Sequence, residues 1–263
     1  MKKETERKYV MKIWRSMKRH LRSFIKNGKQ EDLHHFRTGV KKLRALLILA
    51  DSAEKSPGLE KRFKPVRKIF KQAGEIRNAY INRELGKTVG ENTDFMREQQ
   101  QIMETATLAF NADKDQHRLS LRKTRRNILK RIRSVSKLHL TLYYHQQLES
   151  IAAGLNQLRF DESLHTCRKQ LKVLLYNYAL AGPELEISFN EAYIDQVQEA
   201  IGNWHDNQLA IELFTTGEAS DGNEIARGLK KQSAKLKKQL TVLTRNFQEQ
   251  ATTVTELPIP QVD

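Results

Sequence analysis

Apolar residues recur at three- and four-residue spacing along almost the whole chain, the period of helices that bury one face and wet the other. The pattern predicts a helix over residues 2–27, closed by Asn27-Gly28, and a second from about Asp32, read as its N-cap, to Ala50. Ser56-Pro57-Gly58 stops that helix. A third is predicted over 59–86, ending among Gly86, Gly90 and Asn92, and Thr93 or Asp94 can cap a fourth. Between 95 and 158 two breaks compete, Asn111 to Asp115 and Ser134 to Ser136. After a loop at Gly154 to Asp161 a helix spans 162–181 and stops at Gly182-Pro183. Further helices cover 189–215 and 223–250, and ATTVTELPIPQVD (251–263) reads as a disordered tail.

The helical pattern contains an internal repeat. His34, Arg37 and Lys41 recur as His165, Arg168 and Lys172 with the same spacing, 131 residues later. Downstream, Gly74-x-x-Arg77-Asn78 corresponds to Gly202-x-x-His205-Asp206 at an offset of 128. The first helix, moved by the 131-residue offset, falls near 133–158, so the break at Ser134 to Ser136 is favoured. The reading is all-α: eight helices forming one domain over 1–250, in halves of about 1–132 and 133–250.

In the second helix Leu33, Phe36, Val40, Leu43, Leu47 and Ala50 form the apolar seam. His34, Arg37, Lys41 and Arg44 repeat that spacing one residue on, so they flank the seam instead of opposing it. Leu164, Cys167, Leu171, Leu174 and Tyr178 make the matching seam, beside His165, Arg168 and Lys172. Neither stripe contains an acid, although mixed signs at i,i+4 would support a merely solvated helix. Twice tolerating stacked cations points to an anion between them.

Composition sharpens the picture. Apolar residues are 38% and charged residues 30% of the 263, which suits narrow helical seams. Lys and Arg outnumber Asp and Glu by 47 to 31, a net charge of +16 that attracts polyanions. A single Cys excludes a disulfide framework. The longest apolar run, Ala45 to Ala50, is far short of a membrane span, and the N-terminus lacks an apolar signal core, so the expected location is the cytoplasm.

These motifs resemble the CHAD family (conserved histidine α-helical domain). LHHFRTGVKKLR supplies His34, Arg37, Lys41, Lys42 and Arg44 of its first-half pattern; LHTCRKQLKVLLY supplies His165, Arg168, Lys172 and Tyr176 of its second. The family's Leu-Gly-x-x-Arg-Asp segment is met by Arg77, with Asn78 replacing the acid, and by His205 with Asp206. The resemblance implies two antiparallel four-helix bundles related by a pseudo-twofold internal repeat. It also implies a basic surface that binds inorganic polyphosphate without catalysis and with no cofactor. Val173 and Leu175 stand where the first half has Lys42 and Arg44, so the second half should hold phosphate less strongly. His34, Arg37, Lys41, Lys42, Arg44, Arg77, His165, Arg168, Lys172 and His205 are the expected contacts, and association with polyphosphate granules or with an enzyme of phosphate metabolism follows as an expectation. Arg offers fork-shaped contacts, Lys a point charge, and His donors that respond to pH.

Other signals are weaker. Glu4-x-Glu6-x-Lys8 fits the signature of the CYTH triphosphatases, but runs straight into a helix; acids in a solvated first turn account for it better. The eight histidines show no metal-ligand spacing. Cys167, Trp14 and Trp204 read as packing residues. HRLSLRKTRRNILKRIRSVSK (117–137) is the densest basic run, either a solvated or nucleic-acid-like face or a second wall of the phosphate surface. Nucleic-acid binding is the main alternative function and an enzyme of phosphate metabolism a further one. Few aromatics interleave the basic runs, which argues against base stacking.

Overall fold

A computed structural model of the protein describes residues 3–53, 58–88, 93–215 and 224–252, and its regular elements are all helical. The chain divides into two compact units, Met1–Ser136 and Lys137–Asp263. The first holds α1 (Lys3–Asn27), α2 (Gln30–Asp51), α3 (Leu59–Arg62), α4 (Lys64–Thr88), α5 (Thr93–Ala112) and α6 (Lys114–Arg131). The second holds α7 (Lys137–Asn156), α8 (Glu162–Ala181), a 3₁₀ turn (Gly182–Glu184), α9 (Glu191–Thr215), α10 (Glu224–Thr244) and α11 (Phe247–Thr252).

Within the first unit α1 packs on α2 and α6, α2 on α4, and α4 on both α5 and α6. Within the second, α7 packs on α8 and α11, α8 on α9, and α9 on α10 and α11. Each unit therefore closes into a ring of four helical members, the fourth broken in two, at Asp113 in one and at Arg245-Asn246 in the other. The motif helices α2 and α8 hold the same station in each ring. Their seams face inward: Leu33, Phe36, Val40, Leu43 and Leu47 are at most 2% exposed, and Leu164, Cys167, Leu171 and Leu174 at most 5%. Trp14 and Trp204 are buried as packing residues.

The structure departs from the pattern-based expectations at several places, each for a local reason. The predicted helix over 59–86 is split at Phe63, because Pro65 cannot continue α3 but suits the first turn of α4, where no partner for its N–H is needed. Both competing breaks exist: Asp113 separates α5 from α6, and residues 132–136 separate α6 from α7. Asp32 is not the N-cap of α2, which Lys29 occupies without a side-chain cap. Its carboxylate is instead taken by α1, accepting from Ser23 Oγ at 2.6 Å and lying 2.8 Å from His20 Nδ1. Gly28 makes the preceding turn at φ 68°, its N–H donating to Phe24 O. Ala251 and Thr252 belong to α11, and Ala251 is fully buried; the rest of the predicted tail lies outside the described residues. Tyr178, expected in the α8 seam, is only half-buried and stacks on Phe189.

Glu6 is the sharpest correction near the N-terminus. Glu4 is a solvated first-turn acid paired with Lys8 at 2.9 Å, but Glu6 is 1% exposed and accepts the Val135 N–H at 3.0 Å. Its other carboxylate oxygen is buried without a partner. Glu6 thus ties the start of α1 to the break after α6. Burial raises its pKa, opposed by the Val135 hydrogen bond. A carboxyl whose pKa is raised on folding contributes stability below its unfolded pKa and loses it as pH rises through the folded one. At neutral pH the negative charge is therefore a burden and the acceptor the asset. We expect Glu6→Gln to unfold in urea within about 1 kcal/mol of wild type, and Glu6→Ala to lose about 1–3 kcal/mol by stranding the Val135 N–H. Equal losses in both variants would contradict this reading.

Candidate polyanion-binding face

In the first unit Arg37 reaches from α2 across to α4. Its Nη1 donates to Phe70 O at 2.7 Å, and its guanidinium carbon stands 4.1 Å above the centre of the Phe70 ring. The guanidinium lies on Gly74, where a Cβ would come within 2.7 Å of Nη1. Glycine is needed there because the arginine occupies the space a side chain would fill. Three residues on, Arg77 sits with its guanidinium 4.9 Å from the Tyr80 ring centre. Burial and the neighbouring Arg77 lower the pKa of Arg37. Burial, then Arg77, lowers that of His34, with His35 and Lys41 adding and Glu31 opposing. His34, Arg37, Lys41 and Arg77 thus share one electrostatic neighbourhood between α2 and α4. Lys41 and Lys42 are exposed.

Arg44 is placed differently from its expected role. Its Nε and Nη2 both donate to Glu60 Oε1, at 2.9 and 2.7 Å, and Arg67 Nη1 lies 3.5 Å from the same oxygen. The α2 stripe is free of acids in sequence, but the first turn of α3 supplies one, Glu60, to its last arginine.

The second unit repeats the construction. Arg168 Nε donates to Gln198 O at 3.2 Å, and its guanidinium lies on Gly202, where a Cβ would meet Nη2 at 2.6 Å. The accepting carbonyls, Phe70 and Gln198, each stand four residues before the glycine. His165 stacks on His205 with ring centres 4.3 Å apart, so the residue three beyond the glycine again faces the motif histidine. Burial, then Lys169 and His205, lowers the His165 pKa, and its Nδ1 is buried without a partner. Lys172 Nζ donates to Gln198 Oε1 at 2.9 Å and lies 6.0 Å from the Tyr176 ring centre.

The CHAD domain family matches residues 8–215. The chain belongs to the CHAD family. Among solved structures it is similar to the crystal structure of the CHAD domain from the plant Ricinus communis, with a TM-score of 0.63 at 15% identity. That likeness covers 94% of this chain and 89% of the other, and at such identity it is a likeness of fold. Comparison with the curated proteins finds no match.

The two units of this CHAD domain share a scaffold and differ in charge. Where α4 carries Arg67, Lys71 and Asn78, the matched positions of α9 carry Asp195, Glu199 and Asp206. All three acids favour the charged form of Lys172, although burial and Arg168 prevail and lower its pKa. Lys169 pairs with Glu162 at 3.0 Å. The first unit therefore sets Arg67, Lys71 and Asn78 on α4 where the second sets carboxylates around Lys172. Phe70, Gln198 and the α9 acids were not among the expected site residues. The acids were legible, had the offset of 128 been read at every position of the two helices.

Among the described residues no group of three His, Cys, Asp or Glu side chains could hold a metal ion, and no helix is long and apolar enough to cross a membrane.

Proposed function

We propose that this CHAD domain binds inorganic polyphosphate, without catalysing a reaction, on the α2/α4 face of the first unit. The observation that carries the reading is the convergence of His34, Arg37, Lys41 and Arg77 around a scaffold that fixes Arg37 by a carbonyl, an aromatic ring and a glycine. A phosphate chain offers closely spaced anionic oxygens and no base edges, which a row of cations matches without further recognition. The carbonyl bond uses one arm of Arg37 and leaves donors for a ligand. The matched face of the second unit is the weaker partner, because Asp195, Glu199 and Asp206 compete for its cations.

Titration calorimetry with inorganic polyphosphate tests this. Saturable binding is expected, with log Kd rising linearly in log salt at a slope of about 3, as four or so cations release the chain's counterions. Absence of binding at low salt overturns the reading.

A further inference from the structure

The basic run at 117–137 divides over two flanks of α6, and one flank lines a groove outside the motif face. This groove, of about 1060 Å³, is walled by Lys61 and Arg62 of α3, Lys64, Lys68 and Lys71 of α4, and Lys123 of α6. The three α4 lysines follow at spacings of four and three, hence along one line of the helix. Among the described residues none of the six cations is in an ion pair. The one carboxylate on the lining, Asp113, accepts a hydrogen bond from Gln72 Nε2 at 3.3 Å.

A solvated lysine face needs nothing more, but this groove has a buried polar group in its wall. His117 lines it, is 3% exposed, packs its ring 4.5 Å from that of Phe110, and keeps Nε2 buried without a partner. Ser120 adds a neutral donor from the same helix. The ring is already held by a hydrogen bond to the Phe110 backbone, so its buried Nε2 is a second polar atom kept without a partner in the groove wall, which proteins seldom retain without a use.

We infer that the α3/α4/α6 groove is a second phosphate-chain site on the first unit, separate from the motif face; it rests on the polyphosphate reading above. Phe70, Gly74 and Arg77 turn one flank of α4 to α2, while Lys64, Lys68 and Lys71 turn a neighbouring flank to α6, on the order of 100° round the helix. A short chain occupies one site at a time. A long chain that engages both gains from the high local concentration of its second segment. The consequence is a preference for long chains built into one unit.

The probe is inorganic polyphosphate in a short and a long preparation, titrated into wild type and into the triple variant Lys64→Gln, Lys68→Gln, Lys123→Gln. The substituted side chains are exposed, so the fold is retained. Long-chain affinity is expected to fall at least about tenfold and its salt slope by about two, with short-chain affinity falling much less. In the Lys41→Gln, Arg77→Gln variant, polyphosphate should still protect Lys68 and Lys123 from acetylation, read by mass spectrometry. Unchanged long-chain affinity in the triple variant, or no protection of these lysines, overturns the second site while leaving the motif-face reading intact. Loss of DNA binding with polyphosphate binding unchanged overturns it in favour of a nucleic-acid groove. Failure of wild type to bind either preparation overturns the functional reading and the second site together.

Discussion

Replacing Lys41 and Arg77 with glutamine is expected to weaken polyphosphate binding by roughly 30- to 150-fold, the loss of about 2–3 kcal/mol from two charge-assisted contacts. The matched pair in the second unit, Lys172→Gln with His205→Gln, should cost less than about threefold. The contrast follows from what surrounds each pair. Arg77 stands beside His34 and Arg37 and disfavours the charge on each until an anion arrives. Lys172 already donates to Gln198 Oε1, and Asp195, Glu199 and Asp206 already favour its charge. An anion approaching the second face must displace or tolerate those acids. Arg37 and Arg168 are left untouched because each also satisfies a backbone carbonyl, and removing them would confound binding with folding. Calorimetry on both double variants measures the difference; equal losses would sink the asymmetry.

The second large effect is on pH. Affinity should rise roughly five- to tenfold as pH falls from about 8 to about 6, and the rise should belong to His34. Burial holds the His34 pKa below its ordinary value, and so do Arg77 from α4 and His35 and Lys41 from its own helix, with Glu31 opposing. His20, on α1, reaches this group only through its ring contact with His35. In the empty protein His34 is therefore largely neutral near pH 7. A bound phosphate places negative charge beside it and favours protonation, so binding takes up a proton and strengthens as pH falls. Arg and Lys do not titrate in this range, and the interior units of the ligand keep their charge. His34→Gln should flatten the curve of Kd against pH. His165→Gln should leave most of it, although burial, Lys169 and His205 lower the His165 pKa too, because the ligand sits on the other unit. A flat wild-type curve would make the histidine a packing residue.

Much of this arrangement was legible in the sequence, for reasons particular residues make plain. The α2 and α8 seams are strictly periodic, so their inward faces follow from spacing alone, and α8 runs over the residues predicted for it. The repeat of His, Arg and Lys carried over to geometry: Arg37 and Arg168 meet equivalent carbonyls and equivalent glycines. What spacing did not reveal came from other helices. Glu60 takes Arg44 from α3, and no periodicity within α2 records it. Asp32 looks like a cap because its residue type favours that role, yet His20 and Ser23 bind it more fully than a free N–H would. Glu6 reads as a surface acid because its neighbours are charged, and only the return of residue 135 to α1 buries it. In each case the partner is distant in sequence, and a local pattern has no means of naming it.

The central claim is that the first-unit face selects a phosphate chain as such. Competition between inorganic polyphosphate and double-stranded DNA of equal total charge, at near-physiological salt and neutral pH, tests it most directly. A labelled polyphosphate bound to wild type should be displaced by unlabelled polyphosphate at concentrations at least about tenfold below those at which DNA competes, since a flexible single chain can follow the α2/α4 face and a stiff duplex cannot. The Lys41→Gln, Arg77→Gln variant should lose that preference. Equal displacement by the two polyanions, or stronger displacement by DNA, would contradict the account and make the surface a general or nucleic-acid-binding one.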